Sequence, residues 1–450
     1  MKKRWMIAAG LALCLVCLTG CFLKPAEAMY TLPAASEDFT DLQAKINRVQ
    51  TELSGESAGA VEYAAPLQGD NTQTIQLQDM DGDGEQESAV AFFRVAGAEK
   101  PLRIYIFRQN ENTGYEVSTV IEGDGSAINS IYYADLDDKP GKELVVSWQM
   151  SEDVFLLSAY SVQGKEPSEL MKAAYSSHYE VMDIDRDGRS EVLLVQMDPA
   201  EEDCVQLYDY QGGHMVNTAS ARLSQGVNTL FHAKSNYVSG MLPALYVTSY
   251  YGEEELITDI FVMTANQLEN VTLNPESGIS ESTIRATADV EAVDINQDYI
   301  LELPRMAPMA TTSAVEVFYT TTWEQYDKKG KAKAVSTTFH NTKDGWYLEL
   351  PDSWEGRAAV QRSDMVTSND SQRAITFGTL DETTGKLEPF LTVYRFTGNN
   401  RMVRASRGNR FILKENSDEI FAAEFYNSGW DCGLNQESLK ERFHLILAEW

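Results

Sequence analysis

Hydrophobic and polar positions change rhythm along this 450-residue chain. Over residues 37–53, Leu42, Ile46, Val49 and Leu53 recur at spacings of four, three and four, which predicts one amphipathic helix. Beyond it the period shortens to two, or apolar residues run on unbroken, as in TIQLQ (74–78), SAVAFF (88–93), YEVMDI (179–184) and SEVLLVQ (190–196). Runs so rich in β-branched and aromatic residues predict strands. Five hairpins are predicted at 103–121, 154–176, 204–224, 259–274 and 316–341. After 342 the spacing loosens. The stretch DGWYLELPDSW offers an Asp-Gly turn and a strand that halts at Pro351, and further strands are predicted at 373–380, 390–396, 410–414 and 420–426. A last helix is predicted from about Gln436, with Leu439, Phe443, Ile446 and Trp450 on one face.

The polar positions between strands are crowded with carboxylates. Asp79, Asp81 and Asp83 alternate, Gly84 follows, and Glu87 stands ninth. Alternate carboxylates in a tight turn aim hard oxygen ligands inward, glycine permits the reversal, and the ninth residue closes the shell; this pattern suits Ca²⁺. Without a cation, two unit charges about 4 Å apart repel by roughly 4 kcal/mol at an effective dielectric of 20. The figure returns as Asp183, Asp185, Asp187, Gly188 and Glu191, and as Asp294, Asn296, Asp298 and Glu302 with Tyr299 in the glycine's place. A weaker version, Asp135, Asp137 and Glu143, has Lys139 where the third carboxylate belongs, so an ammonium can replace the ion there. In a fifth register, 235–243, only Gly240 keeps its place. The starts at 79, 135, 183, 235 and 294 lie about 54 residues apart, the mark of a repeat architecture.

Helix-flanked calcium loops open with the same spacing, but the flanks here read as strands. Two strands around each loop and two in each hairpin make four per unit, the composition of a propeller blade that must stack on its neighbours. The loops resemble those of integrin-alpha-type propellers, the FG-GAP and VCBS repeats, over residues 60–341. What the resemblance implies is a β-propeller in which Ca²⁺ serves stability rather than chemistry. The expected fold is therefore mainly β: about five four-stranded blades over 59–341, followed by a small α+β domain over 342–450. That last part is similar to PsbP-like domains only in its strand-Pro-x-x-Trp segment.

Lys2, Lys3 and Arg4 precede an apolar stretch too short for an ordinary membrane span, and it ends in Leu18-Thr19-Gly20-Cys21. This resembles the lipobox of bacterial lipoproteins. The resemblance implies removal of residues 1–20, a lipid on Cys21, and a place on the outer face of the bacterial cytoplasmic membrane. Residues 22–36 then form a tether able to reach about 50 Å, and the tether and short helix together occupy 21–58. Cys14 and Cys17 leave with the signal; Cys204 and Cys432 are too few and too far apart for a disulfide framework.

The full chain carries 37 basic and 68 acidic residues, a net charge of −31, and loss of the three basic signal residues makes it −34. Such a chain repels nucleic acid and anionic headgroups, leaving the lipid as the membrane contact. From Cys21 to Arg305 there are 48 acids against 17 bases; from Met306 to Trp450, 20 against 17, a shift that marks separate modules. His178, His214, His232, His340 and His444 have no zinc-ligand spacing, and no nucleophile elbow, phosphate loop or dinucleotide fingerprint occurs. Arg395, Arg401, Arg404, Arg407 and Arg410 gather in the last module, as a solvated loop or as a surface for an acidic partner. The function expected is binding or scaffolding at the cell surface, toward a protein, a glycan or a wall component, and not catalysis. The alternatives are an extracellular hydrolase or lyase acting on a polymer at an axial propeller site, and a structural subunit of an envelope assembly.

Overall fold

The computed structural model describes residues 37–446 apart from 57–58, 111–112, 138, 153, 198–201, 287–289, 368–369 and 382. The signal segment, Cys21, the tether up to residue 36, and Trp450 lie outside the described residues. The chain divides into two compact units. One gathers the described residues up to Ala65 with Thr74–Gln78 and Gln86–Gly123; the other holds Pro66–Gln73, Asp79–Glu85 and everything from Asp124.

The first unit consists of α1 (Glu37–Glu56) and an antiparallel sheet of β1 (Val61–Tyr63), β2 (Ile75–Gln78), β3 (Ser88–Val95), β4 (Leu102–Asn110) and β5 (Gly114–Gly123). β1 and β2 share one edge of β3: Val61–Tyr63 face Phe93–Val95, and Ile75–Gln78 face Ser88–Ala91. Seven of the eight β3 residues are buried, which is why its sequence shows an apolar run instead of alternation. Leu42, Ile46, Val49 and Leu53 of α1 pack on Ala89, Ala91, Phe93, Val95, Phe107 and Tyr115, as their spacing predicts. Each such burial stabilises by about 1.5–3 kcal/mol.

The second unit begins with two four-stranded antiparallel sheets. They are β6 (Ala127–Ala134), β7 (Glu143–Gln149), β8 (Phe155–Ser161) and β9 (Ser168–Tyr175), then β10 (His178–Met182), β11 (Glu191–Gln196), β12 (Cys204–Gln211) and β13 (His214–Arg222). A third contains β14 (Val227–Val238), β15 (Leu242–Tyr251), β16 (Glu255–Thr264) and β17 (Gln267–Asn270), with β18 (Arg285–Ala286) added on β16. This sheet carries no acidic loop. Its fixed point is Asp259, fully buried, which accepts hydrogen bonds from Ser224 N–H (2.9 Å) and Oγ (2.7 Å), Asn270 Nδ2 (2.7 Å) and Ser280 Oγ.

The remaining strands are β19 (Leu303–Thr311), β20 (Phe318–Tyr326), β21 (Ala332–Asn341), β22 (Trp346–Glu349), β23 (Ala358–Val366), β24 (Asp370–Leu380), β25 (Leu387–Gly398), β26 (Phe411–Glu415), β27 (Glu419–Phe425) and β28 (Phe443–Leu445), with short helices α2 (Arg401–Ala405) and α3 (Gln436–Arg442). They form one ten-stranded sheet in the order β26-β27-β25-β24-β23-β19-β20-β21-β22-β28, parallel only between β19 and β23. The chain is thus mainly β, with several four-stranded antiparallel sheets and helices at its margins.

Three local expectations need correction. The strand expected before the loop at 294–302 is reduced to a single bridge between Val293 and Glu302. β23 was not foreseen, because its outer half, ending in exposed Met365 and Val366, lacks clean alternation. The last helix stops at Arg442, and Phe443 begins a strand: Leu348 pairs with Phe443, Tyr347 with His444 and Trp346 with Leu445. An open edge on β22 and a Phe443–Trp346 ring contact at 5.5 Å outweigh the helical period.

The arginines of the last module are mostly spent internally. Arg395 pairs with Glu419 and lies 3.6 Å from Asp344, Arg401 donates to the carbonyls of Gly398 and Ser417, and Arg410 stacks 4.2 Å over Tyr394. Arg404 lies over Phe396, and Arg407 is exposed. Asp344, buried in the turn before Gly345, also pairs with Arg362 (3.2 Å) and Arg373 (2.9 Å) and accepts from Asn341 (2.8 Å). Removing one partner of a buried ion pair costs about 3–5 kcal/mol because the others are left uncompensated. Asp344→Ala should therefore lower stability by about 3 kcal/mol, read as a fall in the urea midpoint with an unchanged slope.

Candidate functional site

Three of the acidic loops, at 79–87, 183–191 and 294–302, share one backbone. At position four, Gly82, Arg186 and Gln297 have φ of 81°, 69° and 61°; at position six, Gly84, Gly188 and Tyr299 have 95°, 95° and 68°. Two left-handed residues fold the loop so that the first aspartate can accept from backbone N–H groups. Asp183 accepts from Arg186 (2.7 Å) and Gly188 (3.2 Å), and Asp294 from Asp298 (3.0 Å) and Tyr299 (2.8 Å). Nothing crowds a Cβ at Gly84 or Gly188, so glycine serves the dihedral and not the space. Tyr299, 72% exposed, adopts the same φ at a steric cost.

The loop starting at Asp79 is divided between the units. In the second, Asp79 accepts from Gly82 (2.7 Å) and Gly84 (3.0 Å). In the first, Glu87 accepts from Ser88 Oγ (2.8 Å) with one oxygen and has no partner for the other, Oε2, which is buried. Asp81 and Asp83 are exposed.

In the loop starting at Asp183, oxygens of Asp183, Asp185 and Glu191 lie within 4.8 Å of one another. Glu191 is 1% exposed; its Oε2 accepts from Ile184 N–H (2.9 Å), while its Oε1 is buried with no hydrogen-bond partner. Asp187 is not drawn in, because it pairs with Arg189, which holds its carboxyl below the usual range. Burial pushes Glu191 up to about 8, with Asp185 adding to the shift, and burial also raises Asp185. A buried carboxylate oxygen facing two other acids, with nothing to neutralise it, fits a hard divalent cation. Asp183, Asp185 and Glu191 would hold it, and its charge would supply the neutralisation that burial denies.

The other two loops differ in what meets the ninth glutamate: at 135–143 Glu143 Oε1 is buried without a hydrogen-bond partner, and at 294–302 a glutamine amide meets Glu302. Lys139 Nζ lies 2.8 Å from Asp137, and Asp135, Asp137 and Glu143 do not converge as a ligand group among the described residues. Glu143, fully buried and pushed up to about 7 by burial, still accepts from Leu136 N–H (3.0 Å). In the loop at 294–302, oxygens of Asp294, Asp298 and Glu302 lie within 4.8 Å, and Asn296 donates to Asp298 (3.0 Å). There Gln325 of β20 donates its amide to Asp298 Oδ2 (2.7 Å) and Glu302 Oε1 (2.6 Å). The sequence pattern could not reveal Gln325, which lies 23 residues after Glu302.

A cavity of about 280 Å³ lies apart from these loops, between strands of two neighbouring sheets. Its walls are Tyr132, Phe155, Tyr175 and Tyr179, with Phe155 and Tyr175 stacked at 5.3 Å and Tyr175 edge-on to Tyr179 at 5.4 Å. Its polar groups are Asn129, Ser130, Ser177, His178 and Gln68. Ser130 and Tyr179 hydroxyls lie 2.7 Å apart, and Asn129 reaches Ser147 (3.3 Å) and Tyr175 (3.4 Å). No lysine or arginine lines it. Burial, then the carboxylates of Glu180 and Asp70, raise the Tyr132 phenol. At the rim His178 Nε2 is 3.3 Å from Glu180. The sequence hint was the tyrosines of β6 and β10, the strands that lead into acidic loops.

No protein-family model matches the chain, and no curated protein does. Among solved structures it is similar to a protein from Lactobacillus plantarum (11% identity, TM-score 0.27, 68% of this chain and 96% of that one). It is also similar to the exotype rhamnogalacturonan lyase YesX (10%, 0.31, 73% and 83%) and to the periplasmic gluconolactonase PpgL of Pseudomonas aeruginosa (10%, 0.27, 69% and 83%). Likenesses this slight carry no argument about fold or activity.

The buried glutamates set a pH dependence. A carboxyl raised from 4.5 to about 7 or 8 binds its proton more tightly folded than unfolded. The stability it contributes is full below about 4.5 and is lost as pH rises toward 8. The metal-free chain should therefore melt progressively lower from pH 5 to pH 8, and saturating CaCl₂ at pH 8 should restore the share of the loss that Glu191 contributes. Glu191→Gln should flatten the slope and shrink the calcium response in the same melting series.

Proposed function

We propose that this chain is a lipid-anchored binding protein on the outer face of the bacterial cytoplasmic membrane, built on a calcium-stabilised β-propeller of FG-GAP/VCBS type. Its ligand is a neutral, hydroxyl-rich ring such as one residue of a surface glycan. The observation that carries this reading is the cavity beside β6 and β10: aromatic walls with hydroxyl, amide and imidazole groups and no cation. Aromatic faces with a few placed polar groups suit an amphipathic ring. The space, about 280 Å³, suits a single such ring, and the negative surroundings disfavour an anion. The regular four-stranded sheets and the acidic turns at a 54-residue period support the propeller. The orphaned Oε1 of Glu191, together with the convergence of Asp183 and Asp185 on it, supports the ion. The lipid on Cys21 supplies the membrane contact, and no nucleic acid is bound.

A hydrolase or lyase is the second reading, and the His178–Glu180 pair at the cavity rim is what favours it. Saturation-transfer NMR with neutral monosaccharides should show ring-proton contacts that Tyr132→Ala weakens about tenfold, roughly 1.4 kcal/mol. Product release from neutral polysaccharides that His178→Ala abolishes would select the enzyme instead. Absence of both contact and turnover would remove this site.

A further inference from the structure

Gln325 is 6% exposed, and its amide sits where the loop at 294–302 would otherwise face its own carboxylates. One nitrogen donates to Asp298 Oδ2 at 2.7 Å and to Glu302 Oε1 at 2.6 Å. The amide oxygen accepts from Ser239 Oγ at 3.4 Å, so the network itself fixes which end faces the acids. The equivalent of Glu302 Oε1 in the loop at 183–191 is Glu191 Oε1, buried and without a partner. The two loops share the first, fifth and ninth acids and the same pair of left-handed residues, and they differ in what meets the ninth carboxylate. The later loop also has Asn296 in place of an acid and a tyrosine at position six.

We infer that Gln325 stands in for the cation, so that the loop at 294–302 is closed by an amide and takes no Ca²⁺ while Gln325 is present. Gln325 is a positioning residue: it holds the loop through Asp298 and Glu302 and ties it to β20. The inference rests on the calcium reading of the loops at 79–87 and 183–191, and it adds a division of labour. Calcium depletion loosens those two turns and leaves the turn entering β19, and with it the ten-stranded sheet, in place.

Calorimetric titration of the metal-stripped full chain with CaCl₂ should count two ions. Gln325→Glu replaces the amide by a fourth oxygen donor and should raise the count to three, with a calcium-dependent gain in melting temperature beyond the wild type's. A wild-type count of three, or a Gln325→Glu count of two, would overturn the inference. A wild-type count of zero would remove the calcium reading, and Gln325 would then be judged in EDTA. There Gln325→Met keeps the shape but loses both donors, and it should lower the melting temperature by roughly 5 °C. Adding Glu302→Gln, which removes the charge needing those donors, should recover most of that loss. An unchanged melting temperature for Gln325→Met in EDTA would overturn the inference independently of calcium.

Discussion

A carboxylate forced out of water at the ninth position of the turns at 135–143, 183–191 and 294–302 is the constraint around which this structure is arranged. One oxygen of Glu143, Glu191 and Glu302 accepts from the backbone N–H of the second loop residue, which fixes the turn's closure. The other oxygen then has to be dealt with inside protein, where an uncompensated charge is costly. The chain treats it differently from turn to turn: acids converge as for an ion at 183–191, an amide meets it at 294–302, and at 135–143 it stays without a partner while an ammonium neutralises the neighbouring Asp137. The sheet without an acidic turn uses another device, Asp259 ringed by hydroxyl, amide and backbone donors. What is repeated is a buried negative charge at a strand junction, and what varies is its counter-group.

The parts legible in the sequence were those governed by local period and local spacing. The face of α1, the hairpins and the strands around the turns at 79–87 and 183–191 follow from residues within ten positions of one another. What escaped depends on partners far along the chain. Phe443 lies on the helical stripe of Leu439, yet pairs with Leu348 because that strand edge is open. Asp187 fits the ligand spacing as well as Asp185 does, but the neighbouring Arg189 captures it. Gln325 and the cavity tyrosines carry no motif, since their roles arise only where residues distant in sequence are brought together by strand pairing and sheet packing.

The acidic turns and the aromatic cavity are also physically linked. Tyr132 and Tyr179 stand on β6 and β10, and each of these strands runs directly into an acidic turn. Conditions that settle or unsettle those turns act on the strands that carry the cavity walls. The hydroxyls of Tyr179 and Tyr175 are meanwhile held by Ser130 and Ser147, so those two aromatic faces are fixed in place by the sheets themselves.

The pairing of β22 with β28 has a consequence for how the chain is made. The two strands are separated by about a hundred residues, so ribosomal synthesis at 5–20 residues per second leaves the earlier one bare for roughly 5–20 s. During that interval an unpaired edge bearing Trp346 and Leu348 is a template for intermolecular addition. A nascent chain of this design therefore benefits from a holding chaperone, or from delayed collapse, until its late-arriving strand can cover the gap.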